Sequence, residues 1–176
     1  MPVHFHEGLS PLMESIHAVS QHPDNPNNGD IEAIAESMVV NGVYAPVFAQ
    51  RSTTYILAGN HRYAALLSLG ENRIPVVWLD VDDKTATKIM LADNRTADLA
   101  EMDLGALGEI LEQMAADDPT TGLLGTGYDE AYLVRLREIN NEPMTLHLPE
   151  EGEEAAEGQT RQITCPSCGY EFGGGR

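Results

Sequence analysis

Hydrophobic and polar positions in the first part of the chain predict an amphipathic helix behind a polar loop. Apolar side chains recur at helical spacing over residues 31–39, with Asp30 placed as an N-cap and Gly42 as a C-terminal stop. Residues 22–29 are rich in proline, asparagine, aspartate and glycine, which is typical of a loop with many polar groups. The pattern over residues 9–21 fits either a short strand or a helix, and both stay open.

The next stretch alternates short β-prone runs with helical periodicity, which predicts a compact unit of strands and helices. The expected elements are strands 46–50 and 54–58 in a hairpin or a tight strand pair, a helix over 60–69, a strand over 74–79, and a helix from Asp82 or Asp83 to about Asp93. Side chains expected to face the core are Ala64, Leu66, Leu67, Ala86, Ile89, Met90 and Leu91. The fold class predicted is α/β (α+β), a small mixed sheet with flanking helices.

The C-terminal part predicts helices followed by a polar, acidic stretch. Helical spacing over 104–114 and over 128–139 indicates two amphipathic helices, which we expect to form a cap over residues 101–140. Residues 141–162 hold a run of glutamates and too little apolar surface to offset the entropy of ordering, so we predict a disordered linker. A short tail over 163–176 completes the predicted organisation, after a first domain spanning 9–100.

The charge of the chain argues against independent DNA binding. Its net charge is −18, and residues 101–176 carry 16 acidic against 4 basic side chains. Affinity for nucleic acid comes mainly from lysine and arginine neutralising phosphates, so an acidic surface of this kind is repelled by DNA. No apolar run is long enough for a membrane span and no signal peptide begins the chain, so we expect a cytoplasmic protein.

Both cysteines lie in one Cys-x-x-Cys pair, Cys165 and Cys168, whose spacing resembles one knuckle of a zinc ribbon. Structural zinc requires four ligands, and two thiolates supply half of them. The prediction is a Zn²⁺ site shared between two chains or with a partner protein, or completed by a distant histidine such as His147. A flexible tail without metal is the alternative.

The segment around Gly59 has the features of an anion site. A predicted strand ends at Gly59 and a predicted helix begins at once, so unpaired N–H groups and the positive end of the helix dipole meet there. Arg62 can add a bidentate contact to phosphate oxygens, and His61 and Asn60 can add further donors. Residue chemistry alone leaves a second interpretation open, a plain turn with a solvated arginine.

The order of these features resembles the ParB N-terminal domain and its sulfiredoxin-like relatives. The order is an Asn-Pro loop at Asn25, a Gly-x-x-Arg turn at 59–62, an Ile-Pro-Val-Val strand and an Ala-Asp-Asn-Arg stretch at 92–95. The turn resembles the family's Gly-Glu-Arg-Arg-x-Arg-Ala motif at the glycine, at Arg62 and at the following alanine. Among these relatives the chain is most similar to short ParB-like proteins of bacteria and phages, often labelled nucleases, that have no helix-turn-helix domain.

The resemblance implies a nucleoside triphosphate, CTP or ATP, bound with Mg²⁺. Phosphates would be held by Gly59, Asn60, His61 and Arg62, and the loop side of the pocket by Asn25, Asn27 and Arg95. Asp93 and Asn94 would lie near the metal and any reaction. The family's arginine after the Asn-Pro motif is replaced here, and Asn60 stands where sulfiredoxins have a nucleophilic cysteine, which excludes thiol chemistry at that position.

Three functional hypotheses follow. The first is a nucleotide-dependent switch or slow NTPase. The second is a phosphotransferase or DNA nuclease on the same fold. The third is an interaction protein with a vestigial pocket, whose acidic segment and Cys-x-x-Cys pair recruit a partner or form a homodimer, with competition for a DNA-binding protein as one variant.

Overall fold

The computed structural model describes residues 3–141, 161–164 and 171–174, with side chains for residues 3–139. The chain divides into a unit of residues 1–142 and a unit of residues 143–176. The first unit contains five strands and five α-helices in its described residues: β1 (Met13–Ser15), β2 (Ser20–Gln21), α1 (Ile31–Asn41), β3 (Val47–Gln50), β4 (Tyr55–Ala58), α2 (Asn60–Ser68), β5 (Arg73–Leu79), α3 (Asp83–Asp98), α4 (Leu104–Asp117) and α5 (Glu130–Asn141). Two short 3₁₀ helices, Glu7–Leu12 and Ile16–Ala18, flank β1.

The five strands form one mixed sheet in the order β1-β5-β3-β4-β2. Strands β3 and β5 are parallel, whereas β3 and β4 form the antiparallel hairpin that the sequence predicts. Strand β2 runs parallel to β4, and β1 antiparallel to β5. The predicted fold class, a small mixed sheet with flanking helices, is therefore confirmed, and residues 9–21 contain both short strands and 3₁₀ turns.

Helices α1 and α2 begin and end close to where the sequence places them, and α3 begins at its predicted start. The Asp30 carboxylate accepts the N–H of Ala33 at 3.0 Å and caps α1, and Asp82 accepts the N–H of Thr85 at 2.7 Å and caps α3. These bonds satisfy backbone donors that the first turn of a helix leaves unpaired. Helix α3 extends five residues beyond the predicted end at Asp93.

Some residues predicted to face the core are exposed, whereas Leu66, Ala86 and Met90 are buried as predicted. In α2 the buried side chains are Ala65 and Leu66, whereas Leu67 is 43% exposed. In α3 the predicted core residue Leu91 is also exposed, while Ala86 and Met90 are buried. In α1 Met38 is buried, whereas Ile31 and Val39, at the two ends of the predicted apolar pattern, are exposed.

Helices α4 and α5 form the predicted helical pair with a small core of their own. Leu111, Leu133 and Leu136 are buried together, with Tyr128 and Tyr132 packed against them. The loop between the two helices is attached to α1 through Gly125, whose N–H donates to Glu36 Oε1 at 2.9 Å and whose carbonyl accepts from Asn41 Nδ2 at 2.9 Å. This attachment holds the loop beside α1.

The described part of the second unit is an antiparallel pair, β6 (Arg161–Thr164) and β7 (Glu171–Gly174), with Ile163 opposite Phe172. Cys165, Cys168 and His147, on which the zinc prediction depends, lie outside the described residues, as does most of the predicted linker. Among the described helices, none has the length and apolar character that a membrane crossing requires.

Candidate functional site

Helix α2 begins directly at the end of β4, and Gly59 makes this junction possible. Gly59 has φ of 93° and ψ of 24°, a left-handed conformation that glycine adopts without strain. A Cβ at this position would lie 3.0 Å from Val47 Cγ1 and 3.1 Å from Arg62 Nη1. The glycine is therefore required by the backbone conformation and by the close approach of two side chains.

The start of α2 presents backbone donors. The first hydrogen bond of the helix runs from the N–H of Tyr63 to the carbonyl of Gly59 at 3.1 Å. The N–H groups of residues 60–62 precede that bond and have no acceptor within the helix, and no side chain caps them. This is the arrangement that favours an anion at a helix N-terminus.

Asn60 is buried, and its side chain is already occupied. It is 5% exposed, its Oδ1 accepts the N–H of His22 at 3.1 Å, and its Nδ2 donates to the carbonyl of Ile56 at 3.1 Å. The side chain thus ties the polar loop to β4. An anion at this site would therefore contact the backbone N–H of Asn60. The sequence had suggested the side-chain amide as the donor.

His61 contacts the polar loop through a single ring nitrogen. Its Nε2 lies 2.7 Å from the N–H of Gly29 and 3.1 Å from the carbonyl oxygen of Asn27. When Nε2 carries no hydrogen it accepts from the N–H of Gly29, and when it carries one it donates to the carbonyl of Asn27. Only one of the two bonds therefore forms at a time. Gly29 is also tightly placed, because a Cβ there would lie 2.7 Å from His61 Nδ1.

Arg62 is partly buried and does not extend into solvent. Its Nη1 donates to the carbonyl of Pro46, just before β3. This bond fixes one side of the guanidinium and leaves further N–H donors of the group for a ligand. The interpretation of Arg62 as a solvated surface residue is therefore wrong.

Asn94 on α3 joins the loop as well. Its Nδ2 donates to Asn25 Oδ1 at 3.0 Å, and its Oδ1 accepts from Asn27 Nδ2 at 3.3 Å. Its two neighbours, Asp93 and Arg95, are exposed. The structure thus brings Asn25, Asn27, His61 and Asn94 together around the polar loop.

Two cavities open beside the start of α2. The first, of about 250 Å³, is polar and is lined by the loop with Gln21, His22, Asn60 and His61. The second, of about 280 Å³, is mostly apolar and is lined by α1, residues 42–45, Arg62 and the turn 125–127. Sequence reasoning placed His61 and Arg62 in one pocket, but in the structure these neighbouring residues line two different cavities.

The second cavity was missed by sequence reasoning. Its walls come from three distant segments, and the exposed Tyr44 stands at its edge with 67% of its surface accessible. The available signals were a tyrosine in the short connection between α1 and β3 and the Gly-Thr-Gly sequence at 125–127. Neither signal indicates a pocket without the fold that brings the segments together.

Within residues for which side chains are described, no group of three or more histidine, cysteine or acidic side chains is placed to hold a metal ion. Asp93 supplies one exposed carboxylate, and Asn25 and Asn94 supply amide oxygens. Such hard oxygen donors suit Mg²⁺, which usually takes one or two carboxylates and completes its shell with water and phosphate oxygens. These side chains offer the kind of oxygen donors that Mg²⁺ takes.

Comparison with known proteins identifies the fold. The ParB N-terminal domain family model matches residues 6–95. The C-terminally truncated chromosome-partitioning protein ParB from Caulobacter crescentus, solved with CTP-gamma-S, superposes with a TM-score of 0.63 at 17% identity, covering 75% of this chain and 79% of that one. A Pnob8-like ParB-N domain gives 0.43 at 17% identity, covering 62% and 49%. No curated protein sequence gives a significant match.

Proposed function

The chain belongs to the ParB N-terminal domain family, and from this premise we propose that it binds a nucleoside triphosphate at the start of α2. The observation that carries the proposal is the left-handed Gly59, which opens α2 with three backbone N–H groups unpaired within the helix beside two cavities. CTP is the first candidate, because the Caulobacter ParB of the same fold was solved with a CTP analogue. ATP is the second.

In this proposal the phosphates lie against the N–H groups of residues 60–62. Arg62 supplies the permanent positive charge, and the Pro46 carbonyl that it contacts holds the guanidinium in place. His61 supplies a further donor or acceptor and connects the phosphates to the polar loop. The helix dipole, a guanidinium and the histidine together compensate part of the triphosphate charge in a chain that is otherwise acidic.

The base is proposed to occupy the mostly apolar cavity beside Arg62. A cavity of about 280 Å³ with apolar walls suits a planar ring better than a charged phosphate chain. Tyr44 stands at its edge, where an aromatic ring can stack on a base. The ligand would thereby contact α1 and the turn 125–127 as well as α2.

Mg²⁺ is proposed to bind with the nucleotide, held by phosphate oxygens and by Asp93 with the amide oxygen of Asn94. When bound, the metal would neutralise phosphate charge. Asn94 is hydrogen-bonded to Asn25 and Asn27, so a ligand near Asn94 acts on the same loop that His61 contacts. Nucleotide binding would therefore order the loop and the segment 93–95 together, which is the basis for a switch or a slow NTPase.

Calorimetry of the full chain with CTP, ATP and GTP in the presence of Mg²⁺ tests the proposal. We expect saturable binding of CTP or ATP at one site per chain. Absence of binding by all three nucleotides to folded protein would contradict it. Product analysis with labelled nucleotide, free serine and plasmid DNA then distinguishes binding alone from hydrolysis, phosphotransfer and DNA cleavage.

Replacing Tyr44 by alanine is expected to weaken nucleotide affinity about tenfold, because base–aromatic stacking contributes about 1–3 kcal/mol per base. Tyr44→Phe keeps the ring and should retain most of the affinity. The dissociation constants of both variants can be measured by the same calorimetry. Equal affinity of Tyr44→Ala and the unmodified protein would place the base outside this cavity, without affecting the phosphate site.

A further inference from the structure

A third concavity lies away from the start of α2, at the junction of α1 with the helical pair α4–α5. It is an open groove of about 700 Å³, larger than either cavity described above. Its apolar lining consists of Ala33, Ala115, Ala116, Pro119, Leu123, Leu124, Tyr128 and Leu133. Leu124 leaves 48% of its surface exposed there, so the groove offers an apolar contact that no described residue covers.

The charges around this groove have almost one sign. Its acidic lining residues are Glu36, Glu112, Asp118, Asp129 and Glu130, against the single basic residue Arg137. Arg137 is already paired, since its Nε lies 2.8 Å from Glu112 Oε1. The Thr121 hydroxyl and the backbone N–H groups of Thr121 and Thr120 hold the pKa of Asp118 below its ordinary value, so this carboxylate stays charged. The groove therefore keeps a negative rim around an apolar floor.

The groove is preformed because its loop is held on α1 by both backbone polar groups of Gly125. Gly125, with φ of 73°, is hydrogen-bonded to Glu36 and to Asn41 at 2.9 Å each. A Cβ on Gly125 would lie 2.8 Å from Val40 Cβ, so the loop packs directly on α1. A preformed groove binds a ligand without the entropy cost of first ordering the loop.

We propose that this groove binds a basic amphipathic peptide segment of a partner protein. Its apolar side chains would contact Leu124 and Tyr128, and its lysine or arginine side chains would face the acidic rim. A second copy of this chain has the wrong charge for the groove, since the net charge is −18 and residues 101–176 are the more acidic part. Nucleic acid is disfavoured for the same reason.

The proposal is tested with a fluorescent synthetic helical peptide that carries lysine and leucine at helical spacing, and with a counterpart that carries glutamate in place of lysine. The full chain should bind the first peptide and not the second. The decisive variants are Glu130→Lys, in the groove, and Glu138→Lys, farther along the same helix and outside the groove lining. Both change the net charge by the same amount, so the pair separates the groove from the general acidity of the protein.

Glu130→Lys should weaken binding of the lysine peptide about fivefold or more, because an attractive charge becomes repulsive. Glu138→Lys should change the affinity for this peptide less than about twofold. If Glu130→Lys does not fold, Glu130→Gln provides the same comparison without the added positive charge. Equal losses in both positions would show attraction to overall charge only and would overturn the proposal. Equal binding of the acidic peptide would also overturn it.

The apolar floor is tested separately with Leu124→Ser and with Val134→Ser, an exposed apolar residue on α5 outside the groove lining. Leu124→Ser should weaken binding of the lysine peptide by at least about fivefold, because the substitution removes apolar contact area. Val134→Ser should leave the affinity unchanged. Equal affinities of the two variants would show that the groove floor does not contact the peptide and would overturn the proposal.

Discussion

Arg62→Ala is expected to weaken nucleotide binding by about 10- to 100-fold. A hydrogen bond to a charged group contributes about 1.5–3 kcal/mol, and Arg62 would make such bonds to the phosphates. The same change removes the donor to the Pro46 carbonyl, so a modest loss of stability should accompany the loss of affinity. Calorimetry with the best-bound nucleotide measures the first effect and urea unfolding measures the second.

Two controls separate these contributions. Arg51→Ala removes an exposed arginine that lies over the Trp78 ring at 5.6 Å, in the turn at the opposite end of β4 from Gly59, and should leave nucleotide affinity unchanged. Arg62→Lys keeps a positive charge but not the planar set of donors, so it should restore only part of the affinity. A folded Arg62→Ala protein that binds nucleotide as the unmodified protein does would show that the phosphates lie elsewhere.

The elements of the fold could be predicted from sequence because local signals agree with the tertiary structure. Asp30 and Asp82 mark helix starts by hydrogen bonding, and the positive φ of Gly42 and Gly59 marks helix ends by backbone conformation, both of which depend on neighbours in the chain. The apolar run of β5 favours a buried strand over a helix because it is short and rich in β-branched residues. The family resemblance and the family model agree on the same region.

The side-chain environment of the site could not be predicted in the same way. Asn60 occupies a position that a phosphate-binding motif assigns to ligand contact. Its burial, however, depends on β2 and β4 meeting at this point of the sheet. At the start of a helix, the side chains of adjacent residues point in different directions. His61 and Arg62 therefore reach different cavities. Their separation is set by the packing of α1 on α2, which periodicity does not reveal.

The site is also more dependent on the loop than the motif alone suggests. Gly29, Asn27 and Asn25 contact His61 or Asn94, and these hydrogen bonds are exposed except for the partly buried one between Asn94 and Asn25. Exposed hydrogen bonds of this kind contribute little stability, so the loop can rearrange at small cost when a ligand competes for His61. The buried Asn60 provides the fixed point from which the loop extends.

Asn60→Ala is therefore expected to lower the free energy of unfolding by about 2–3 kcal/mol, a large share of the stability of a small domain. The change leaves the N–H of His22 without its acceptor and the carbonyl of Ile56 without one donor, and it opens a small cavity beside β4. Urea unfolding in the absence of nucleotide measures the effect. Asn72→Ala, which truncates an exposed asparagine, should cost much less.

Asn60→Asp distinguishes anchoring from phosphate contact. Aspartate keeps an acceptor for the N–H of His22 but loses the donor to Ile56, and it places a carboxylate in a buried position. If anchoring is the role of Asn60, both variants should be destabilised without any nucleotide, and nucleotide affinity should fall only as far as the loop is disturbed. A stable Asn60→Ala protein that has lost nucleotide binding would instead assign the side chain to the phosphates.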